Sequence, residues 1–218
     1  MPIDHIKKNN SLSVKIESLN DQARFYEELI ESNEGFPEGT QYVLENPKVF
    51  PGVLGTVADM FQVEEKYRDA LENGLGELSH CLITKDKRTG LSTLEKALED
   101  NAGDLTIIPL KEAIAYKVKL KSLPKSYNVI ALASQLVKTD KKLSPLADYI
   151  LGDLIVVSDL KNAANDKKLD GWRLVDLNGT YSGKNLVIKS RQVSEHGNLI
   201  GRRNKLEIIS EQLAHSKN

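Results

Sequence analysis

Cysteine is nearly absent from this sequence: of 218 residues, only Cys81 carries a thiol. One cysteine cannot close a disulfide within the chain, and it excludes a cysteine-based metal site within one chain. A reducing, cytoplasmic setting is therefore expected. Aromatic residues are scarce at 6%, which argues against a stacking platform for single-stranded nucleic acid. No apolar run approaches the roughly 18 residues of a membrane span, and the residues after Met1 lack the apolar core of a signal peptide. Charge of one sign is missing as well. Thirty basic residues against 31 acidic ones leave a formal net charge of −1, so any pull on nucleic acid or membrane needs a local patch. What remains, 40% hydrophobic and 28% charged, is the composition of a globular protein with a sizeable core.

Catalytic signatures are missing too. His5, His80, His196 and His215 are scattered, without the spacing that sets ligands on one helical face, so no metal is expected. Ser92, Ser158 and Ser182 have no nucleophile-elbow context. The run Gly179-Thr180-Tyr181-Ser182-Gly183-Lys184-Asn185 superficially suggests a phosphate loop. It is one residue short between glycines, lacks Ser or Thr after the lysine, and joins two strands. No active site and no cofactor are expected in this stretch of chain.

What is present begins with helical seams at both ends. Leu12, Ile16, Leu19, Ala23, Tyr26 and Ile30 alternate in steps of four and three, the a/d repeat of a coiled coil, before Gly35 and Pro37 stop the helix. Leu206, Ile209 and Leu213 continue the pattern near the other end. A narrow seam of this kind is marginal alone. The two helices either pair antiparallel with each other or lie as amphipathic helices on the body.

The middle is written twice. Residues 52–76 lay without gaps on 128–152, at a constant offset of 76. Val53 falls on Val129, Leu54 on Ile130, Phe61 on Val137, Ala70 on Leu146, Leu75 on Leu151 and Gly76 on Gly152. Each copy runs on into an apolar segment, Cys81–Thr84 in the first and Leu154–Val157 in the second, and reads as strand, helix, strand. The first helix is expected to end at Gly74 or Gly76. A second helix is predicted from the Ser92-Thr93-Leu94-Glu95 capping box, followed by a short strand from Leu105 to Ile108. Asn178-Gly179 predicts a two-residue hairpin between Arg173–Leu177 and Thr180–Ser182. The fold class is therefore α/β (α+β): two related subdomains with mixed sheets, flanked by the antiparallel helix pair. The expected boundaries are 1–36, 37–124, 125–200 and 201–218.

This order resembles the hinge domain of SMC (structural maintenance of chromosomes) proteins. Pro51–Asp59 with Val63–Leu71 is similar to the first-subdomain signature, Leu151-Gly152-Asp153 to the second, and Gly197–Arg203 to the exit into the coiled coil. The resemblance is closer to bacterial members and covers about residues 40–210. It implies a dimerisation hinge joining two arms whose far ends carry ATPase heads, so that the complex encloses and organises DNA on the nucleoid. It also implies a homodimer in which the first subdomain of one chain meets the second of the other, through Gly183, Leu186, Val187 and Ile188. One departure stands out. Lys184, Ile188 and Lys189 occupy positions where family members commonly have glycine.

Two lysine-rich groups are candidate phosphate contacts without base readout. Lys184, Lys189, Arg191, Arg202, Arg203 and Lys205 lie near the arm junction; Lys117, Lys119, Lys121, Lys125, Lys138, Lys141 and Lys142 surround the linker. The bland reading, favoured for the linker group, is that lysines solvate exposed backbone. The alternative for the whole chain is a duplicated α/β small-molecule-binding domain with incidental terminal helices. It would need a pocket with convergent polar groups, and the sequence offers no such cluster.

Overall fold

The computed structural model describes residues 2–116, 118–120, 122–184, 187–190 and 198–216, without the side chains of 2–11. In chain order the elements begin with α1 (Pro2–Glu31), α2 (Glu38–Glu45), β1 (Val53–Thr56), α3 (Val57–Met60), β2 (Gln62–Val63), α4 (Arg68–Leu75) and β3 (Leu82–Thr84). Next come α5 (Lys87–Glu99), β4 (Ile107–Pro109), α6 (Leu110–Ala115), β5 (Val129–Leu132), β6 (Val137–Lys138) and α7 (Ser144–Leu151). The last are β7 (Leu154–Val157), α8 (Leu160–Ala163), β8 (Arg173–Asp176), β9 (Tyr181–Ser182), β10 (Ile188–Lys189) and α9 (Arg202–Ser216). Two compact units result, residues 1–34 with 202–218 and residues 35–201.

In the first unit α1 and α9 pair. Leu19, Ala23 and Ile209 are buried at the seam, with Tyr26, Leu206 and Leu213 packed against them. The direction is antiparallel: Arg202, at the start of α9, donates to Glu34 O (2.6 Å) and Leu29 O (3.4 Å), while Lys15 shares a groove with His215. Two seam positions differ from expectation. Leu12 is 43% exposed, and Leu29 is buried at 6% beside a half-buried Ile30.

In the second unit the duplication is visible strand by strand. β1 pairs antiparallel with β3 and β3 parallel with β4; β5 pairs antiparallel with β7 and β7 parallel with β8. Even the irregularity repeats, since both antiparallel pairs shift register at the second residue, between Val53 and Gly55 and between Val129 and Ala131. The helices α4 and α7 keep the 76-residue offset at both ends. Between the halves, Gln62 faces Lys138 and Val63 faces Val137 across the antiparallel β2–β6 pair. Gln62 and Lys138 are equivalent positions in the repeat, so a pseudo-two-fold passes between them.

Side-chain alternation explains the layering. One face of each sheet looks into a shared core built from both halves, including Leu71, Leu75, Ile83, Leu146, Leu151, Leu154, Val156 and Val175. The other faces have private cores, around Val43, Phe50 and Leu82 in the first half and around Ile155, Val157, Trp172 and Leu174 in the second. Leu82 and Ile155, equivalent by register against β1 and β5, each point to the private side; Ile83 and Val156 each point to the shared one.

Several local readings need correction. The Ser92 capping box lies inside α5, which starts five residues earlier. Asp86 is its cap, accepting from the Thr89 amide at 2.9 Å, and the Ser92 hydroxyl bonds back to Thr89 O. A working capping box sits at Thr56 and Asp59 instead, on α3. The β8–β9 loop has three residues rather than two: Asp176 N donates to Thr180 O, Gly179 N to Asp176 O, and Gly179 takes φ +83°. That is a turn closed by a left-handed glycine, with Asp176 Oδ1 accepting from the Asn178 and Thr180 amides at 2.9 Å each. The strand after α5 begins at Ile107 rather than Leu105.

Of the two glycines offered as the end of α4, Gly76 takes φ +55° and caps it, whereas Gly74 lies inside the helix. A Cβ at Gly74 would overlap the Leu154 side chain, which is fully buried. Helix propensity alone makes Gly74→Ala stabilising by about 1 kcal/mol; overpacking across the two halves makes it destabilising by about 1–3 kcal/mol. We expect net destabilisation, seen as a lower urea midpoint at unchanged slope. A higher midpoint would mean that the halves are not tightly packed there.

Candidate dimerisation interface

A sheet ends in rows of unpaired amides and carbonyls, so the open edges come first. The smaller sheet has the order β1-β3-β4 and the larger β10-β9-β8-β7-β5. In the second half, the outer edge of β8 is covered by β9, with Leu174 facing Ser182 and Val175 facing Tyr181. In the first half, the equivalent edge of β4 has no strand on it among the described residues. The hairpin that makes this difference is anchored from the first half. A Cβ at Gly179 would lie 2.7 Å from Asn73 Nδ2 and 3.0 Å from Asp69 O, so only glycine lets the loop sit against α4.

The outermost strand, β10, sets Ile188 against Ser182 and Lys189 against Tyr181, and the Gly183 amide donates to Val187 O at 2.8 Å. Ile188 is 73% exposed and Val187 43%. Gly183 lies under the Tyr181 ring, where a Cβ would come within 3.0 Å of ring atoms, so this glycine serves close approach inside the chain.

Beneath the β9–β10 turn is a charge cluster that the sequence did not reveal. Arg173 donates from Nε to Asp153 Oδ1 (2.7 Å), from Nη1 to Gly74 O (3.2 Å) and from Nη2 to Ile150 O (2.5 Å). One guanidinium thus ties β8 to the ends of both α4 and α7. Lys184 Nζ reaches Asp153 Oδ2 at 2.6 Å. Burial pushes the Asp153 carboxyl up, but the Arg173 and Lys184 hydrogen bonds and charges outweigh it and hold it below the usual carboxylate range. The signal in the sequence was Leu151-Gly152-Asp153, noted for its pattern but not for the arginine 20 residues on. Lys184, where the resemblance led us to expect glycine, is accommodated by this pair.

Next to the cluster, between the two halves, is an open groove of about 530 Å³ lined by Ile108, Tyr116, Asp148, Tyr149, Asp153 and Lys184 among others. Tyr116 and Tyr149 stack edge to face with centroids 5.3 Å apart, although 64% and 45% exposed. Neither tyrosine was singled out from sequence, because they are 33 residues apart and only the packing of α6 against α7 joins them.

The remaining predicted residues are distributed unevenly. Leu186 and Arg191 lie outside the described residues, as do Lys117, Lys121 and His196. Arg202 is not a free cation: it is 5% exposed and its guanidinium is committed to the Glu34 and Leu29 carbonyls, so its role is within the helix pair. Arg203 and Lys205 stand on the first turn of α9, each with a partner, while Lys184 and Lys189 stand on the other unit. Cys81 is fully buried, and burial pushes its thiol up to about 11, as befits a core side chain. Among the described residues no group of three His, Cys, Asp or Glu side chains is arranged around a metal position, and no helix is long and apolar enough to cross a membrane.

Comparison with known proteins points to one family. The family model for the SMC proteins Flexible Hinge Domain matches residues 50–165. The chromosome partition protein Smc of Halothermothrix orenii is 26% identical over 97% of this chain, and that of Bacillus subtilis 25% identical over 95%. The chain spans 18% of the length of either relative. Among solved structures, an asymmetric dimer of the Geobacillus stearothermophilus SMC hinge domain superposes with TM-score 0.79 at 22% identity, over 98% of this chain and 88% of that one. The Pyrococcus furiosus Smc hinge domain with an extended coiled coil gives 0.58 at 20% identity, over 99% and 79%. At these identities the structural likeness establishes the fold.

The Asp153 cluster makes a graded prediction. Arg173→Met removes three hydrogen bonds to largely buried acceptors and should destabilise by about 2–4 kcal/mol; Lys184→Met removes an exposed pair and should cost under about 1 kcal/mol. Because the folded-state pKa of Asp153 is depressed, its contribution is present above the unfolded value of about 3.9 and fades as pH falls through the folded one. The stability gap between wild type and Asp153→Asn should therefore be full at neutral pH and close in acid, as followed by urea denaturation at several pH values. A gap that persists unchanged into acid would contradict this assignment.

Proposed function

The chain belongs to the SMC hinge family, and from that premise we propose that it is a dimerisation module, two copies joining edge to edge with β4 of one against β10 of the other. The observation that carries this reading is the broken symmetry of the duplication. The second half covers its β8 edge with the β9–β10 hairpin, whereas among the described residues no strand covers the equivalent β4 edge of the first half. An open edge invites strand addition, and edges not meant for pairing are ordinarily blunted. β10 presents Ile188 at 73% exposure, beside the exposed Lys189, whose charge needs an acidic partner on any strand that pairs there. Two copies related by a two-fold would satisfy both edges twice.

On this reading the paired helices α1 and α9 are the roots of an arm, and dimerisation couples two arms within a longer protein that acts in chromosome partition, as the names of its relatives suggest. ATP hydrolysis would belong to parts of that protein beyond this stretch. The setting would be the cytoplasm, on the nucleoid. DNA contact is accessory: Lys184, Lys189, Arg203 and Lys205 offer a few phosphate contacts, weak, salt-sensitive and without base readout.

The test is the solution mass by light scattering across a dilution series. We expect a mass near twice 24.3 kDa that persists on dilution. Ile188→Asp should weaken association by about a hundredfold, since it replaces an apolar side chain worth roughly 1.5–3 kcal/mol on burial by a charge. A wild-type chain that stays monomeric throughout would overturn the proposal.

A further inference from the structure

Strand pairing through two residues of β10 makes few hydrogen bonds, each worth about 0.5–1.5 kcal/mol net. Side chains must therefore supply much of the affinity and the register. The groove beside β4 is built in a way that suggests how. Ile108 of β4 forms part of its lining, and the edge-to-face pair of Tyr116 and Tyr149 presents two exposed rings. Aromatic side chains carry a large apolar surface at low entropic cost, and their exposure on a free surface is what a docking face looks like. The groove also holds two carboxylates of different status. Asp153 is already neutralised by Arg173 and Lys184. The Asp148 carboxylate makes no ion pair among the described residues, not even with Lys119, which also lines the groove.

The complementary surface is on the same chain. In an extended segment, residues two apart share a face, so Val187 and Lys189 point together, away from Ile188. That face offers one branched apolar side chain, 43% exposed, and one exposed ammonium without an ion pair among the described residues. An aromatic wall with one free carboxylate matches an apolar side chain followed by one free cation. β10 is the outer edge of its sheet and the groove lies beside the outer edge of the other.

We infer that the groove flanked by Tyr116 and Tyr149 seats the β10 edge of a second copy, Val187 meeting the tyrosines and Lys189 pairing with Asp148. The inference rests on the dimer reading above and adds the side chains that set its register. It also gives a role to Lys189: its charge selects the partner's Asp148. Because the contact is two-fold, it occurs twice per dimer, once in each direction.

That symmetry provides the experiment. Asp148→Lys and Lys189→Glu, each alone, put like charges together at both contacts and should weaken self-association by about tenfold, more at low salt than at high. The double variant D148K/K189E reverses both partners in one chain and should return the dimer to within about threefold of wild type. Tyr149→Ala should weaken it by about tenfold without changing the salt dependence. Thermal melting of each variant monomer checks that folding is intact. Single reversals without effect, or a double variant as weak as both singles combined, would overturn the seat while leaving the dimer standing. A dimer insensitive to Ile188→Asp as well would instead point to failure of the edge-pairing reading itself.

Discussion

The shared core between the two halves is the constraint on which the rest depends. Leu71, Leu146, Leu151 and Leu154 are each at 0% exposure within it, and each such side chain is worth roughly 1.5–3 kcal/mol on burial. Neither half could bury these residues alone, because the same cluster draws on α4 from one and α7 and β7 from the other. Polar contacts reinforce the seam without creating it. Arg173 reaches across to Gly74 O, the Thr139 hydroxyl to Met60 O at 3.0 Å, and β2 pairs with β6 at the pseudo-two-fold. The halves are therefore fixed as one body, and the positions of the β4 and β10 edges follow from that fixation.

A duplicated protein that folds on its own internal two-fold has little reason to expose strand edges. This one does so where the two copies differ: the second has a hairpin after β8, and the first has α6 after β4. The Asp176 turn and Gly179 hold that hairpin against α4, so the asymmetry is itself stabilised by contacts between the halves. Internal symmetry built the body, and its local breakage leaves the two outer edges, β4 and β10, different from each other.

The helix pair obeys different physics. Its seam is narrow, with Leu19, Ala23 and Ile209 as its buried residues, and it needs a polar lock where α9 begins. Arg202 supplies one by donating to the Leu29 carbonyl in the last turn of α1 and to the Glu34 carbonyl just beyond it. A guanidinium has five donors and no acceptor, which suits it to the unsatisfied carbonyls at a helix C-terminus. A residue that reads as an exposed cation in the sequence thus becomes part of the scaffold.

Pattern and period were legible without coordinates. The 76-residue offset gave the duplication, the a/d spacing gave the terminal helices, and the glycine-bearing turn before Tyr181 gave the hairpin. These are properties of residues near one another in the chain, where the alternation of strands and the turn of a helix fix which side chains share a face. Errors in the same reading were also local: the Ser92 capping box lost to Asp86, and a two-residue loop lost to one of three, because competing hydrogen-bond partners lay a few residues away. What only the tertiary structure decided involves partners far apart in sequence. Arg173 with Asp153 and Gly74, Tyr116 with Tyr149, and the open edge of β4 depend on how the two halves dock, and no spacing rule encodes that docking. Sequence periodicity specifies elements and their faces; the burial of those faces against one another chooses which polar groups and which edges are left over.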